Sequence, residues 1–366
     1  MSNLLPDLKK FINRNMFLRL VSLDSVEGLL TQVNETNRTV LISNENGINE
    51  VGIDEIISFF VIAFAYATDF TFDRVHVINT FNNTALTSIP VMSDPIGVAI
   101  TPNGLRAYIV NNGSSTVSVI DTVSNTTITT IQVGVSPRKI AISANGTRAY
   151  VTNFASNTVS VINTDTNTVM STIPIGNNTF PDGIAITPNG TRLYVTTAGT
   201  NSVTVINASN RTIIGTIPVG DFPENIAITP NGLRAYVVNS GSSTVSVINT
   251  ATNTVIGTIQ VGTNPVSIAI TPDGTRAYVG NRGPGTPPSA TVSVINTATN
   301  TVIDTIQFVG QTNANDIAIA PGGFRAYFTR FGGGVGKINT INNTEIPPLI
   351  PTGNSLRGIA ITPTMF

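Results

Sequence analysis

From residue 95 onward the apolar positions of this chain do not follow a helical period. They alternate with polar ones over short stretches, as in NIAIT (225–229), RAYVVN (234–239), TVSVIN (244–249) and the run 254–261. Alternation of period two puts successive side chains on opposite faces of a strand, so the four stretches predict four short antiparallel strands, a to d. Turn residues separate them. In Pro230-Asn231-Gly232 the proline presets φ and the Asn-Gly pair tolerates positive φ.

The four-strand unit recurs. It begins at Pro95, Pro137, Pro181, Pro223, Pro265 and Ala314, with a seventh start at Leu356, at spacings of 42, 44, 42, 42, 49 and 42 residues. The seven extra residues of the longest unit, GPGTPPS from Gly283 to Ser289, fall between strands b and c, and the two extra of the 44-residue unit lie in IGNNTFP before Pro181. Length changes confined to loops leave the strand pattern intact. Four antiparallel strands at this period describe one blade of a β-propeller.

The ends fix the number of blades. The first copy supplies only strands b (65–68), c (74–80) and d (85–91), and the last supplies only a strand a (358–362). Pairing the C-terminal strand with the N-terminal blade completes one composite blade, removes an open edge and ties down both ends. The predicted fold is all-β: a closed seven-bladed propeller. We call the composite blade 1 and the unit starting at Pro95 blade 2, continuing to blade 7 at Ala314.

The segments RAYVTN (148–153), RLYVTT (192–197) and RAYVGN (276–281), with the recurrent TVSVIN, resemble the YVTN-repeat propeller proteins over roughly residues 61–366. That resemblance implies a seven-bladed propeller of bacterial or archaeal surfaces or of the periplasm, and it brings no shared catalytic residues.

Residues 1–60 lie outside the repeat. A short helix is expected at 7–15, then strands at 18–21, 26–33, 38–44 and 47–60. This pattern fits a small SH3-like or Sm-like barrel, or an extra sheet capping the propeller. LVSLDSVEGLLTQVNETNRTVLI and VGIDEIISF resemble a small barrel module of bacterial spore-coat proteins, which implies an anchoring or assembly role. The domains are therefore 1–60 and 61–366, joined without a linker. The most apolar run, Ile56 to Ala67, is 12 residues long, too short for a membrane-spanning helix, and reads as consecutive buried strands. No apolar signal-peptide core is seen at the N-terminus.

Only 11% of residues are charged and the net charge is −1, which argues against bulk nucleic-acid or anionic-lipid binding. There is no Cys, no Trp and a single His, His76. Disulfides, a cysteine nucleophile and a transition-metal or haem site are not expected, and no cofactor and no catalytic residue is assigned. His76 sits in strand c of blade 1 at a slot that is Ser118, Ser160, Thr204, Ser246, Ser293 and Gly336 elsewhere, and reads as structural or solvated. One arginine opens strand b of each complete blade (Arg106, Arg148, Arg192, Arg234, Arg276, Arg325), which reads as scaffold.

The informative positions are those that break the repeat. Strand a lines the channel, and its first two residues, near the mouth, vary from blade to blade. They supply the candidate ligand- or partner-binding set Arg138, Lys139, Asp182, Glu224, Asp316 and Arg357. Asp182 and Glu224 lie on adjacent blades, where a carboxylate pair could perform acid–base chemistry. Taken together, these features favour a non-enzymatic surface or structural protein of a bacterial spore or cell envelope. It would bind other surface or spore proteins, or assemble with itself through residues 1–60 and the uncharged outer d strands. The alternatives are a propeller binding single-stranded nucleic acid or glycan, and a lactonase- or glycosidase-like enzyme; a cytoplasmic location is the alternative to the surface.

Overall fold

A computed structural model of the chain describes residues 14–20, 25–34, 39–44, 47–52, 56–284, 290–308 and 314–363. Most of the helix expected at 7–15 and the tip of the b–c insertion (285–289) lie outside the described residues; Arg14 and Asn15 open a strand instead.

From residue 64 the chain forms seven four-stranded antiparallel sheets, each ordered a-b-c-d. In blade 5, for example, the strands are Pro223–Ile228, Arg234–Asn239, Thr244–Asn249 and Thr254–Gln260. Closure is as expected: Leu356–Ile361 pairs with Phe64–Asp69 through Leu356↔Asp69, Ile359↔Ala67, Ala360↔Tyr66 and Ile361↔Ala65. The seven sheets form a seven-bladed β-propeller.

Apolar alternation on both faces of strands b and c glues each blade to the next. Between blades 5 and 6, Tyr236, Val238, Val245, Val247 and Ile259 pack against Ile268, Ala277, Val279 and Ile295. The seam at the chain ends is built alike, with Tyr327, Val335 and Ile350 against Leu356, Ile359, Ala65 and Ile78.

A polar lattice repeats the same connection on the face opposite the mouth. The buried tyrosine of strand b sends its hydroxyl to an asparagine in the c–d turn of the following blade: Tyr66 to Asn125, Tyr108 to Asn167, Tyr194 to Asn253, Tyr236 to Asn300, Tyr278 to Asn343 and Tyr327 to Asn83, at 2.7–2.9 Å. Those asparagines have φ between 53° and 59°, a left-handed conformation that Asn tolerates better than most residues. One residue type thus makes the turn and accepts the inter-blade bond. The strand-b arginines do the same work: Arg106, Arg148, Arg192, Arg234, Arg276 and Arg325 each donate to a backbone carbonyl of the following blade.

Among the described N-terminal residues, β1 (Arg14–Leu20), β2 (Ser25–Asn34), β3 (Thr39–Asn44), β4 (Gly47–Gly52) and β5 (Ile56–Val61) form one antiparallel sheet in the order β4-β3-β2-β1-β5. The single strand expected at 47–60 is two, with β5 crossing to pair with β1. Only Ile62 and Ala63, both buried, separate β5 from strand b of blade 1. The apolar run 56–67 is thus two successive strands, and no helix among the described residues is long and apolar enough to cross a membrane.

Candidate functional site

Strict alternation would send the first two residues of strand a to opposite faces. A register shift at the start of the strand prevents this. In blade 3, Pro137 faces Asn153 but Ile140 faces Val151; the same two-residue gap follows Pro181, Ala314 and Leu356, whereas in blades 5 and 6 a single residue, Glu224 or Val266, is skipped before pairing resumes. A bulge leaves residues unpaired and re-aims their side chains. It frees Arg138-Lys139, Asp182-Gly183, Asn315-Asp316 and Arg357-Gly358 from the ladder where the strands reach the channel mouth.

There they enclose a cavity of about 310 Å³ whose lining includes Arg138, Lys139, Asp182, Glu224, Arg282 and Arg357. Five of the six candidate residues thus share one cavity. The sixth, Asp316, is tied to it across the channel, its Oδ2 lying 3.2 Å from Lys139 Nζ. Gly183 is required by this crowding: a Cβ there would lie 2.7 Å from the Glu224 carbonyl oxygen and from Asn225 Cα of the next blade.

The charges are held, not floating. Arg138 Nη1 lies 3.4 Å from Asp182 Oδ2, and its guanidinium stacks 4.1 Å above the Phe154 ring, which stacks in turn on Phe180 at 5.1 Å. Arg357 sits between Phe70 and Phe331, at 5.2 and 5.7 Å. Aromatic faces attract a guanidinium and fix its plane while leaving its N–H edge available. Neither Arg357 nor Arg282 has an acidic partner within ion-pair distance among the described residues.

Burial dominates the acid–base properties. The Asp182 carboxyl, 11% exposed, is pushed up to about 6; desolvation is the main cause, Arg138 opposes it and Glu224 adds to it. The Arg357 guanidinium is pushed below its ordinary value, first by burial and then by Arg282 and Arg138. Three arginines therefore sense one another at one rim, an arrangement that an anion would relieve.

Arg282, Asn112, Ile96, Val266 and Asn315 also line the cavity and were not among the sequence candidates. Arg282 occupies the first residue after strand b, the slot held by Phe70, Asn112, Phe154 and Phe331 in other blades. Like the first positions of strand a, that slot breaks the repeat, and the break is its signal in the sequence. His76 lies elsewhere in blade 1, its Nε2 3.2 Å from Asp69 Oδ2 and 3.1 Å from the Gly353 nitrogen. No group of three or more metal-ligating side chains occurs among the described residues.

Comparison with known proteins gives a partial family match. The family described as "Lactonase, 7-bladed beta-propeller" matches residues 98–261, rather less than half of the chain. No curated protein sequence matches. Among solved structures, a functionally unknown protein from Desulfotomaculum acetoxidans aligns at 19% identity with a TM-score of 0.71, covering 82% of this chain and 99% of its own. Two proteins described as candidate 6-phosphogluconolactonases are also similar. The one from Bacteroides uniformis has 17% identity and a TM-score of 0.67, covering 82% and 99% of the two chains. The one from Bacteroides fragilis has 19% identity and a TM-score of 0.68, covering 82% and 98%. At such identities the structural likeness speaks to fold alone.

The family match overturns the expectation of a non-enzymatic surface or structural protein. That expectation took the scarcity of His, the lack of Cys and Trp, and the uniform repeat as signs of an inert scaffold. Opening an activated ester needs none of those residue types. A carboxylate whose pKa lies near the working pH can act as the base instead, and the raised pKa of Asp182 arises from burial, which the sequence does not display.

Proposed function

We propose that this protein is a lactonase-like hydrolase whose reaction centre is the channel mouth and whose substrate is a small anionic lactone. The observation that carries the reading is Asp182, a buried carboxyl raised to about 6 in a cationic cavity. A general base works best when its acidity lies near the working pH. Above pH 6 the Asp182 carboxylate takes a proton from a water molecule as the water oxygen adds to the lactone carbonyl. The oxygen of that carbonyl gains negative charge, which Arg138 and Lys139 stabilise. The ring C–O bond then breaks, Asp182 returns the proton to the departing oxygen, and a hydroxy acid results. Arg282 and Arg357, which have no acidic partner within ion-pair distance among the described residues, hold the anionic substituent of the substrate. The family match to residues 98–261 supports the reaction class, and the description of two structural relatives as candidate 6-phosphogluconolactonases suggests which sugar lactones to try first.

The test is hydrolysis of six-carbon sugar δ-lactones, with and without a 6-phosphate, measured above the spontaneous rate from pH 4.5 to 8. The expected profile rises to a plateau with an apparent pKa near 6. Asp182→Asn should abolish that limb and lower kcat by about 10²–10⁴-fold, the usual worth of a positioned base. No rate above background with either group of lactones would overturn the reading.

A further inference from the structure

The fifth residue of strand b lies directly behind the mouth. It is Thr68, Val110, Thr152, Thr196, Val238, Gly280 and Thr329 in blades 1 to 7. Where it is threonine, its hydroxyl ties two blades together at the bulge. Thr152 Oγ1 accepts from the Lys139 N–H at 3.0 Å and donates to the Asp182 carbonyl of the next blade at 2.6 Å. Thr196 accepts from the Gly183 N–H at 2.7 Å and reaches the Glu224 carbonyl at 3.4 Å. Thr329 accepts from the Asp316 N–H at 3.0 Å and donates to the Arg357 carbonyl at 2.8 Å.

The charged mouth residues follow these threonines. Lys139, Asp182, Glu224, Asp316 and Arg357 each have a backbone atom held by one. Where the slot is Val110, Val238 or Gly280, the mouth positions it backs are Gly97, Asn225, Val266, Ser267 and Asn315, all uncharged; Arg138, behind Val110, is the exception. Thr68 makes such a bridge between uncharged positions, and Val110 and Val238 show that blades join without one; what Thr152, Thr196 and Thr329 add is a fixed spacing at charged mouth positions.

We propose that Thr152 is a positioning residue of the mouth, its hydroxyl fixing Lys139 and Asp182 of adjacent blades relative to one another, with Thr196 and Thr329 doing the same for Glu224 and for the Asp316–Arg357 pair. The inference deepens the hydrolase reading and rests on it for its kinetic consequence, but the geometry can be tested without substrate. A misplacement of about 1 Å in a reacting group can cost about 10²-fold in rate, so a hydroxyl that sets the spacing of a base and a cation matters beyond its own bond.

The chain provides the control. Thr68 makes the same bonds in blade 1, to the Gly358 N–H at 2.7 Å and the Ile96 carbonyl at 3.3 Å, but between uncharged residues. Thr68→Val and Thr152→Val therefore remove equivalent bonds, and valine already occupies the slot in blades 2 and 5. The full-length protein is labelled with carbon-13 at aspartate carboxyls and the Asp182 signal is assigned by its loss in Asp182→Asn. Its titration reports Asp182 against all the charges facing it: Arg138, Glu224, Lys139 and Arg282. Thr152→Val is expected to move the midpoint by half a unit or more and to lower kcat on the best lactone about tenfold with little change in KM. Thr152→Ser should restore both, and Thr68→Val should leave both unaltered while lowering Tm as much as Thr152→Val does. If Thr152→Val fails to fold, Thr152→Ala, which also lacks the hydroxyl, takes its place. Equal titration shifts in the Thr68 and Thr152 variants, or none in either, would overturn the proposal whatever the lactone assay shows; absence of hydrolysis in the wild type bears on the hydrolase reading alone.

Discussion

At the scale of single residues, the acidity of Asp182 has a consequence for stability as well as for rate. Its carboxyl is near 3.8 when exposed and about 6 in the folded chain, so the folded state holds the proton more tightly. The stability gained from that proton is fully present below pH 3.8, and it is lost as pH rises through about 6. The loss amounts to at most about 3 kcal/mol, since one pKa unit corresponds to about 1.4 kcal/mol. Asp182→Asn mimics the protonated form and should therefore raise Tm at pH 8 while leaving it nearly unchanged at pH 4. Denaturation of both proteins across that range checks the sign, and a variant equally destabilised at both ends would show that the Arg138 pairing outweighs burial. This is also where sequence reasoning stopped short. Asp182 stood out because it broke a repeat, but a broken repeat carries no information about desolvation. Arg282 is less legible for a simpler reason: it breaks a different slot, just after strand b, where the residue type varies from blade to blade.

At the scale of the element, strands b and c of blade 5 were legible to the residue, because Arg and Thr open them and Asn ends them. The starts of the a strands were less so. Alternation predicts them from the third residue on, whereas pairing begins at Pro223 and its equivalents and is then interrupted by a bulge, and the residue that marks the wider bulge, a threonine at the fifth position of strand b in blades 1, 3, 4 and 7, lies on the neighbouring strand. A repeating side-chain pair illustrates what uniformity hides. In blades 2, 3, 5 and 6 the last residue of strand b is an asparagine whose Nδ2 donates to a serine of strand c: Asn111 to Ser118, Asn153 to Ser160, Asn239 to Ser246 and Asn281 to Ser293. Blade 1 replaces this pair with Asp69 and His76. His76→Ser alone leaves the buried Asp69 facing a hydroxyl and should cost about 1–3 kcal/mol, the range for a buried group deprived of its partner. Adding Asp69→Asn recreates the pair of the other blades and should recover most of that loss. The coupling in a double-mutant cycle measures it; additive effects would mean that Asp69 and His76 act separately.

At the scale of the whole molecule, the ring is closed by six residues from the far end of the chain. Leu356 and Ile359 are buried in the seam between blades 7 and 1, and burying one such side chain contributes about 1.5–3 kcal/mol. The same strand places Arg357 at the mouth, so closure and site completion are one event. Its bonds reach both neighbours: the Gly358 N–H donates to Thr68, and Asn315 of blade 7 donates to the Leu356 carbonyl. A chain ending at residue 353 would expose the strand-b edge of blade 1, Phe64–Asp69, and an unpaired edge recruits another strand. That truncation should lower Tm by several degrees, since two such side chains are worth about 3–6 kcal/mol and one kcal/mol shifts the Tm of a large domain by about 2–4 °C or less, and it should promote association through the open edge. A synthetic peptide of residues 354–366 added in excess should restore Tm and suppress that association, with a gain that grows with the logarithm of peptide concentration. Lactone hydrolysis should return in parallel, because the peptide carries Arg357. A truncated chain as stable as the full one would mean that the N-terminal blade holds without its fourth strand. Stability restored without activity would separate the two roles, assigning the strand to closure and relieving Arg357 of any part in the site.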